Sequence, residues 1–176
     1  IPLLFMELKT VHKNVKNAYD HNLKDYRDTI PQLFIFNAMI MLSNGDQAKV
    51  GTISSEYEHF VDWKRLKEAD EGNLDFEIML RGMCTKSFFI DLFENFILFD
   101  ESLGESIKII AKNHQYLGVN LAVEAIKNRE TLDGKLGVFW HTQGSGKSYS
   151  MVFLSKKIRQ KVHGNFTFLV VTDRED

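Results

Sequence analysis

The chain opens on a short apolar run followed by a longer, mostly polar stretch. Residues 3–6 are apolar on both faces, as in an interior strand, and Glu7 and Lys9 follow them. From residue 11 to residue 28 apolar side chains recur at near-helical spacing, and Pro31 closes the segment. This pattern predicts a β-strand that leads into a surface helix.

A pair of apolar runs around a turn sequence comes next. Residues 32–43 and 47–54 flank Asn44-Gly45, two residues that tolerate the positive φ angles of a two-residue hairpin turn. The runs therefore predict an antiparallel β-hairpin.

The middle of the chain is richer in helical patterns. Residues 56–82 mix charges with large apolar side chains and predict a short helix, a break at Gly72-Asn73 and a second helix. Phenylalanine and aliphatic residues then recur at helical spacing over residues 88–97, which predicts a helix with a wide apolar face. The polar, glycine-containing run 100–105 predicts a domain boundary.

The pattern after this run is typical of a parallel sheet. An amphipathic helix is predicted over residues 115–127. It precedes a strand at 136–140, a loop at 141–146, a helix at 147–162 and a strand at 166–171. Strand, glycine loop, helix and strand in this order are the β-α-β unit of a parallel sheet.

Composition narrows the class of protein without defining a function. The 176 residues are 44% hydrophobic and 26% charged, with a formal net charge of −2, which is ordinary globular usage and no electrostatic signature of nucleic-acid binding. The single cysteine, Cys84, cannot form an internal disulfide. Polar residues interrupt every apolar stretch well before the roughly 18 residues that a membrane span requires. We expect a soluble, cytoplasmic protein with no membrane partner.

A glycine-rich loop is the clearest chemical motif. The run from His141 to Ser148 matches the phosphate-binding pattern G-x-x-x-x-G-K-[ST] at every position except the first, where His141 replaces glycine. Backbone N–H groups of such a loop converge on an anion, and Gly144 and Gly146 permit close approach. Lys147 would neutralise the β- and γ-phosphates of ATP, and Ser148 would be a ligand of Mg²⁺. The predicted nucleotide-binding residues of the loop are Thr142, Gln143, Gly144, Ser145, Gly146, Lys147 and Ser148.

This motif has a plainer alternative, a glycine-rich turn that precedes Lys-Ser by chance. The predicted strand before the loop and the predicted helix after it favour the phosphate-binding interpretation.

A second motif lies at the end of the first predicted strand. Strand alternation puts Glu7 and Lys9 on one face, so a carboxylate that can hold a divalent metal lies beside an ammonium that can orient a water or stabilise a phosphorane. Asn22 and Tyr26, four residues apart on a helix, share a face that could buttress this pair or contact DNA phosphate. Taken alone, these residues also fit a solvated strand end and an ordinary polar helix face.

Gln115 opens the helix that precedes the glycine-rich loop. Its side-chain amide can both donate to and accept from the edge of an adenine, so this position suits recognition of a nucleotide base.

Together, these motifs resemble the type I restriction endonuclease R subunit. The resemblance runs end to end. It is carried by the sequences F-M-E-L-K, N-x-x-x-Y, I-P-Q-L-F followed by S-N-G, K-N-H-Q-Y, V-F-W-H-T-Q-G-S-G-K-S and V-V-T-D-R-E-D. Histidine is the usual residue at the first loop position in that family.

The resemblance implies an α/β fold in two parts. A RecB-like PD-(D/E)xK nuclease domain, with a mixed sheet and flanking helices, is followed by the start of a RecA-like, parallel-sheet P-loop domain of a superfamily 2 helicase motor. We place the partial endonuclease domain at residues 1–103 and the first RecA-like domain at residues 104–176. Such proteins use ATP and Mg²⁺ to translocate and cut double-stranded DNA, together with methylation and specificity subunits.

The resemblance also implies roles for the nuclease residues. Glu7 and Lys9 match the second half of the nuclease motif, with Glu7 as a metal ligand, and the first catalytic aspartate is expected upstream of Ile1. The Q-x-x-x-Y motif of these nucleases falls on Asn22 and Tyr26, with asparagine in place of glutamine.

On the motor side, the resemblance matches Gln115 to the adenine-reading Q motif and residues 171–176 to the start of the next helicase motif. The acidic Walker B motif, the coupling motif and the arginine finger are expected beyond Asp176. The 176-residue chain by itself is therefore expected to be inactive, and the activity is expected of the full-length parent.

Two alternatives of other classes stay open. One is a P-loop ATPase of DNA repair or signalling whose N-terminal half is a non-catalytic sensor domain. The other is a binding module in which neither site is functional.

Overall fold

Residues 1–71, 76–102 and 104–171, which the computed structural model describes, form a mixed α/β structure. The strands are β1 (Leu4–Leu8), β2 (Met39–Ser43), β3 (Ala48–Gly51), β4 (Val61–Asp62), β5 (Ile97–Asp100) and β6 (Ile107–Ile110). The α-helices are α1 (Lys24–Thr29), α2 (Phe76–Met83), α3 (Lys86–Asn95), α4 (Asn113–Lys127) and α5 (Lys147–Lys161). A π-helix, Ala18–Leu23, leads directly into α1, and 3₁₀ turns occupy Pro31–Phe34 and Tyr57–His59.

The main sheet has the strand order β1-β2-β3-β4. Strand β1 runs parallel to β2, whereas β2 and β3, and β3 and β4, pair antiparallel. All five residues of β2 are buried, but β1 lies at the edge of the sheet in the described residues and is only half-buried. The strand predicted at residues 3–6 is confirmed as β1, but its predicted interior position is wrong, because β2 and β3 are the strands with neighbours on both sides in the described residues.

The hairpin predicted around Asn44-Gly45 is confirmed, with a longer loop than predicted. Ser43 pairs with Ala48, so four residues connect β2 and β3 instead of two. Gly45 has a φ of +95°, which glycine adopts without steric cost. The Gln47 N–H donates to the Asn44 side-chain oxygen at 2.8 Å, a local bond that favours the wider turn.

The helices with strong periodicity are also confirmed, as α3, α4 and α5. The helix predicted from residue 11 is confirmed only in its second part, since the π-helix and α1 cover 18–29. The Lys16 N–H donates to Asn14 Oδ1 at 2.8 Å, and such a side-chain bond to the backbone favours a helix start after Asn14 over a start at residue 11.

The region between β3 and α3 was predicted only in part. The second predicted helix is confirmed as α2, whereas the first is wrong, because the chain there makes the three-residue turn Tyr57–His59 and then pairs as β4 with β3. The predicted break at Gly72-Asn73 lies outside the described residues.

The unit Ile1–Leu117 has a core cluster that includes β2 and an aromatic cluster after β4. The core residues are Val15, Ala18, Tyr19, Leu23, Phe34, Ile40, Leu42 and Phe60. In the aromatic cluster, the buried Trp63 meets Phe88 and Tyr116 edge-on at 5.6 Å each, and Phe88 stacks on Tyr116 at 4.3 Å. These contacts fix α3 and the start of α4.

The hairpin of β5 and β6 is tied to the same unit. The Thr52 hydroxyl donates to the Lys108 carbonyl, and the Lys108 ammonium donates to the Asn37 carbonyl, each at 2.6 Å. Burial lowers the pKa of Lys108. The predicted boundary at 100–105 falls on the loop of this hairpin, and residue 103 lies outside the described residues. The division into domains at 103 and 104 stays a prediction.

The unit Gly118–Asp176 contains most of α4 and all of α5. The two helices are linked by a bond of 2.5 Å from the buried Lys157 ammonium to Asn120 Oδ1. A side chain at Gly118 would collide with the ring of Phe139, whose carbons lie 2.6 Å from an ideal Cβ position. The close approach of Phe139 to α4 therefore requires glycine at this position.

The two strands predicted in this unit do not form. Residues 136–140 and 166–171 pair with no other strand in the described part of the chain. Their apolar side chains are largely exposed, with Val138 at 91% and Leu169 at 88%. The strand predictions were wrong because a strand needs a hydrogen-bonded neighbour as well as an apolar pattern.

No helix in the described residues combines the length and the apolar content that a membrane crossing requires.

Candidate functional site

The structure brings Glu7, Lys9 and Asn22 together. The Lys9 ammonium lies 2.9 Å from a Glu7 carboxylate oxygen and donates to Asn22 Oδ1 at 2.5 Å. The Glu7 and Lys9 side chains are only 14% and 17% exposed, so the pair is partly shielded from water and its electrostatic interaction is stronger than at an open surface. A carboxylate and an ammonium that is held by a neutral amide thus share one face at the end of β1.

Backbone contacts fix this end of β1. Glu7 pairs with Leu42 in the sheet, and the Lys9 N–H donates to the Ser43 carbonyl at 2.7 Å. The Asn44 side-chain amide donates to the Lys13 carbonyl at 2.9 Å, which anchors the segment that leaves the strand. The parallel pairing with the buried β2 therefore positions the Glu7 and Lys9 side chains.

Asn22 reaches Lys9 from the π-helix Ala18–Leu23. At this turn the Lys24 N–H donates to the Tyr19 carbonyl, five residues earlier, instead of to residue 20. Single π-turns of this kind are rare and frequent at functional sites, because they change the direction in which side chains project. No local sequence pattern indicated the π-turn.

Tyr26 shares a helix with Asn22 but makes a different contact. Its ring meets Phe5 edge-on at 5.9 Å, at the base of β1. No hydrogen bond from Tyr26 to Glu7 or Lys9 is present in the described residues. Tyr26 therefore packs behind the Glu7–Lys9 pair, whereas Asn22 touches it.

A partly buried polar network around Tyr19 was not predicted from the sequence. The Tyr19 hydroxyl donates to Glu56 Oε2 at 2.6 Å and accepts from Arg27 at 3.4 Å, while Arg27 also donates to the Ser55 carbonyl at 2.9 Å. Burial and the bond to Glu56 raise the pKa of Tyr19, so the phenol stays protonated at neutral pH. The network holds the helix that carries Asn22 against the turn after β3.

Substitution of Tyr19 by phenylalanine is expected to destabilise the fold. Tyr19→Phe removes a bond to a carboxylate and leaves Arg27 with one acceptor fewer, which costs about 1–2 kcal/mol in the free energy of unfolding. Urea unfolding of the variant and the wild type measures the loss. Tyr57→Phe is the matched control, since its ring also packs on Tyr19 but its hydroxyl makes no hydrogen bond in the described residues. Equal stability of the two variants would contradict the role of the network.

The glycine-rich loop covers residues 141–146, and α5 begins directly after it at Lys147. The Lys147 ammonium donates to the carbonyl oxygens of His141 and Thr142 at 2.9 and 3.0 Å. Gly144 and Gly146 have φ angles of +75° and +85°, a left-handed conformation that L side chains rarely adopt. The lysine is therefore curled over a loop whose shape depends on its two glycines.

The groups that would meet a nucleotide are accessible. Thr142, Gln143, Lys147 and Ser148 are exposed, and Ser148 lies in the first turn of α5, where backbone N–H groups have no helical acceptor. A phosphate could replace the two carbonyl oxygens as the partner of Lys147 without disturbing the core. The loop thus offers an accessible ammonium and an accessible hydroxyl to a phosphate.

Gln115 has a structural contact in addition to its predicted role. Its Oε1 accepts from the Lys112 N–H at 2.8 Å, the reciprocal bond of a helix capping box at the start of α4, and the side chain is buried. This bond uses the amide oxygen. The prediction that Gln115 reads adenine stays a prediction.

The residues around Glu7 offer few protein ligands to a magnesium ion. The described residues contain no group of three or more His, Cys, Asp or Glu side chains that could hold a metal. Mg²⁺ keeps several waters and is commonly held by one or two carboxylates together with a phosphate of the substrate. Glu7 therefore fits as one protein ligand of such an ion.

The two sites fall in segments that match two family models. Residues 1–59 match the type I restriction enzyme R protein N terminus, and residues 114–176 match the SWI2/SNF2 ATPase. The class of protein is thus a restriction enzyme subunit that joins an R-protein N-terminal region to an ATPase region.

Curated relatives point to the same family over the whole chain. The type I restriction enzyme HindI endonuclease subunit of Haemophilus influenzae is 35% identical over 100% of this chain and 18% of its own length. The putative type I restriction enzyme MjaIXP endonuclease subunit of Methanocaldococcus jannaschii is 29% identical over 99% of the chain and 19% of its own length. The chain belongs to the family of type I restriction enzyme endonuclease subunits, and it spans about a fifth of the length of these relatives.

Proposed function

We propose that the complete protein containing this chain cuts double-stranded DNA in a Mg²⁺-dependent reaction that is coupled to ATP-driven translocation. The observation that carries the proposal is the Glu7–Lys9–Asn22 cluster within the segment that matches the R protein N terminus. The loop that presents Lys147 lies in the segment that matches the ATPase model. One chain thus joins a candidate phosphodiester-cleaving site to a candidate nucleotide site.

At the nuclease site, Glu7 would hold the metal and Lys9 would contact the scissile phosphate or the attacking water. A divalent ion, when bound, supplies Lewis acidity and lowers the pKa of its water. The Lys9 ammonium supplies a fixed positive charge where negative charge develops on the phosphorane. Asn22 holds this ammonium beside the carboxylate, so the side chain does not have to be ordered during the reaction. This arrangement supports a RecB-like nuclease region.

At the motor site, Lys147 and Ser148 would take the β- and γ-phosphates and the associated Mg²⁺ of ATP. Thr142, Gln143, Gly144, Ser145 and Gly146 would surround the phosphates through the loop backbone. Gln115 would contact the adenine base. The match of residues 114–176 to the ATPase model supports a RecA-like motor region, which we place at residues 104–176.

The partners follow from the class of enzyme. The relatives are named endonuclease subunits, so we expect this protein to act in a complex with methylation and specificity subunits on double-stranded DNA. The alternative of a DNA-repair or signalling ATPase with a non-catalytic N-terminal half is not favoured, because residues 1–59 match the R protein N terminus.

Glu7 provides the experiment that tests the nuclease assignment. Glu7→Gln keeps the size of the side chain but removes the negative charge that would hold Mg²⁺. In the complete protein with its partner subunits, DNA cleavage is expected to fall by about 100-fold or more while ATP hydrolysis persists.

Glu58→Gln is the matched control, since Glu58 is an exposed glutamate of the same unit. The control is expected to cut at the wild-type rate over a titration of Mg²⁺. Normal cleavage by Glu7→Gln would show that Glu7 is an ordinary residue at a strand end and that the cleaving site lies elsewhere in the complete protein.

A further inference from the structure

A charged cleft of about 470 Å³ lies in the unit Ile1–Leu117, apart from the residues assigned above. Its charged lining consists of Lys49, Lys64, Arg65 and Lys112 against Asp62 and Glu68. The volume is within the range of about 300–1,000 Å³ that is usual for ligand sites. The excess of basic side chains selects for an anionic ligand.

Two of the four basic groups are available to a ligand. Lys49 is paired with Asp62 at 2.8 Å, and Arg65 lies 3.8 Å from Glu68. Lys64 and Lys112 are exposed, and their ammonium groups make no hydrogen bond or ion pair within the described ranges. The positive charge that is left uncompensated is therefore that of these two lysines.

Asn113 holds the two lysine-bearing segments at a fixed spacing. Its Oδ1 accepts from the Lys64 and Arg65 N–H groups at 3.2 and 3.1 Å, and its Nδ2 donates to the Arg65 carbonyl at 2.8 Å. Asn113 is also the first residue of α4 and directly follows Lys112. One buried side chain thus fixes the backbones that carry Lys64 and Lys112, which reduces the entropy lost on binding.

The sheet register relates the cleft to the nuclease site. Glu7 pairs with Leu42, Leu42 with Lys49, and Lys49 with Asp62, so these residues form one line across four strands. Cross-strand partners project from the same face, and strands are spaced about 4.8 Å apart. The Lys49 backbone is therefore roughly 10 Å from that of Glu7, and the buried core residue Leu42 lies between them.

We propose that this cleft binds the phosphate backbone of the DNA, outside the bond held at Glu7 and Lys9. The proposal rests on the proposed nuclease function. A DNA strand carries one charge about every 3.4 Å along the helix axis, so a strand that crosses the cleft can offer a phosphate to each of Lys64 and Lys112. A nucleotide base has little to stack on, because Phe60 in the lining is 2% exposed.

The test compares paired lysine variants in binding to a short DNA duplex. It uses the complete subunit without Mg²⁺ or ATP, so that neither cleavage nor translocation occurs. For Lys64→Ala/Lys112→Ala, the slope of log affinity against log salt is expected to fall by about 2, since each phosphate contact contributes about 0.9. Affinity at low salt is expected to fall about tenfold or more.

Two further variants separate charge from folding. Lys13→Ala/Lys86→Ala removes two exposed lysines elsewhere in the unit and should leave the slope unchanged. Lys64→Arg/Lys112→Arg keeps both charges and should restore it. A slope that is unchanged in the cleft variant, or not restored by arginine, would overturn the proposal.

A nucleotide-binding assay tests whether the cleft takes the phosphates of a nucleotide instead of those of DNA. Affinity for a fluorescent ATP analogue is expected to be unchanged in Lys64→Ala/Lys112→Ala. A loss of nucleotide affinity with normal DNA binding would overturn the assignment to DNA. Failure of the proposed nuclease site is detected by a separate measurement, normal DNA cleavage by the Glu7→Gln variant.

Discussion

Lys147→Ala in the complete protein is expected to abolish ATP hydrolysis and DNA cleavage together. The Lys147 ammonium already donates to two carbonyl oxygens at 2.9 and 3.0 Å, and the phosphates would take their place. Without this charge the negative charge that builds up during phosphoryl transfer is not neutralised, which costs about 100-fold or more in the rate of ATP hydrolysis. In the proposed function cleavage follows translocation, so it should be lost as well.

Arg159→Ala is the control for this variant. Arg159 is an exposed cation near the other end of α5, far from the loop along the helix. Its removal changes the charge of the helix equally but touches no predicted phosphate contact, so both activities should persist. DNA cleavage by Lys147→Ala without ATP hydrolysis would show that the nuclease is not gated by the motor.

Lys9→Ala in the complete protein is expected to abolish DNA cleavage alone. The variant removes the ammonium that lies between Glu7 and Asn22, and with it the charge proposed to stabilise the phosphorane. Cleavage should fall by about 100-fold or more, while DNA-stimulated ATP hydrolysis continues because no predicted nucleotide contact changes. Agarose gel analysis of plasmid DNA measures cleavage, and release of phosphate measures hydrolysis.

Two further variants test whether this result is specific to Lys9 and how far it depends on the contact with Asn22. Lys13→Ala removes an exposed lysine four residues later and should cut normally. Asn22→Ala keeps the Lys9 ammonium but removes the acceptor that holds it, so its loss of cleavage should be smaller than that of Lys9→Ala. Full cleavage by Lys9→Ala would mean that Glu7-Leu8-Lys9 is an ordinary strand end.

Local patterns predicted the elements whose hydrogen bonds are local. The periodicity of α3, α4 and α5 lies within each helix, and the turn residues around Gly45 mark the β2–β3 hairpin. Residues 136–140 and 166–171 have the composition of strands but no pairing in the described residues. Pairing depends on neighbours that are distant in sequence, and a local apolar pattern carries no information on them.

The candidate site also has local contacts, which the sequence predicts, and contacts between distant residues, which it does not predict. Alternation along one strand sufficed to put Glu7 and Lys9 on one face, since they are two residues apart. The contact of Lys9 with Asn22 spans 13 residues, and that of Tyr19 with Glu56 spans 37, so both depend on how the helix docks on the sheet. The π-turn that carries Asn22 has no sequence signature, and the cleft at Asn113 is formed by segments 48 residues apart.

The most direct test of the central claim counts both products in one reaction. ATP hydrolysed and DNA cut are measured side by side for Lys9→Ala and Lys147→Ala, with the specificity and methylation subunits present. A nuclease that depends on a motor predicts hydrolysis without cleavage in Lys9→Ala and neither product in Lys147→Ala. Cleavage by either variant at the wild-type rate would contradict the account of one chain that carries both sites.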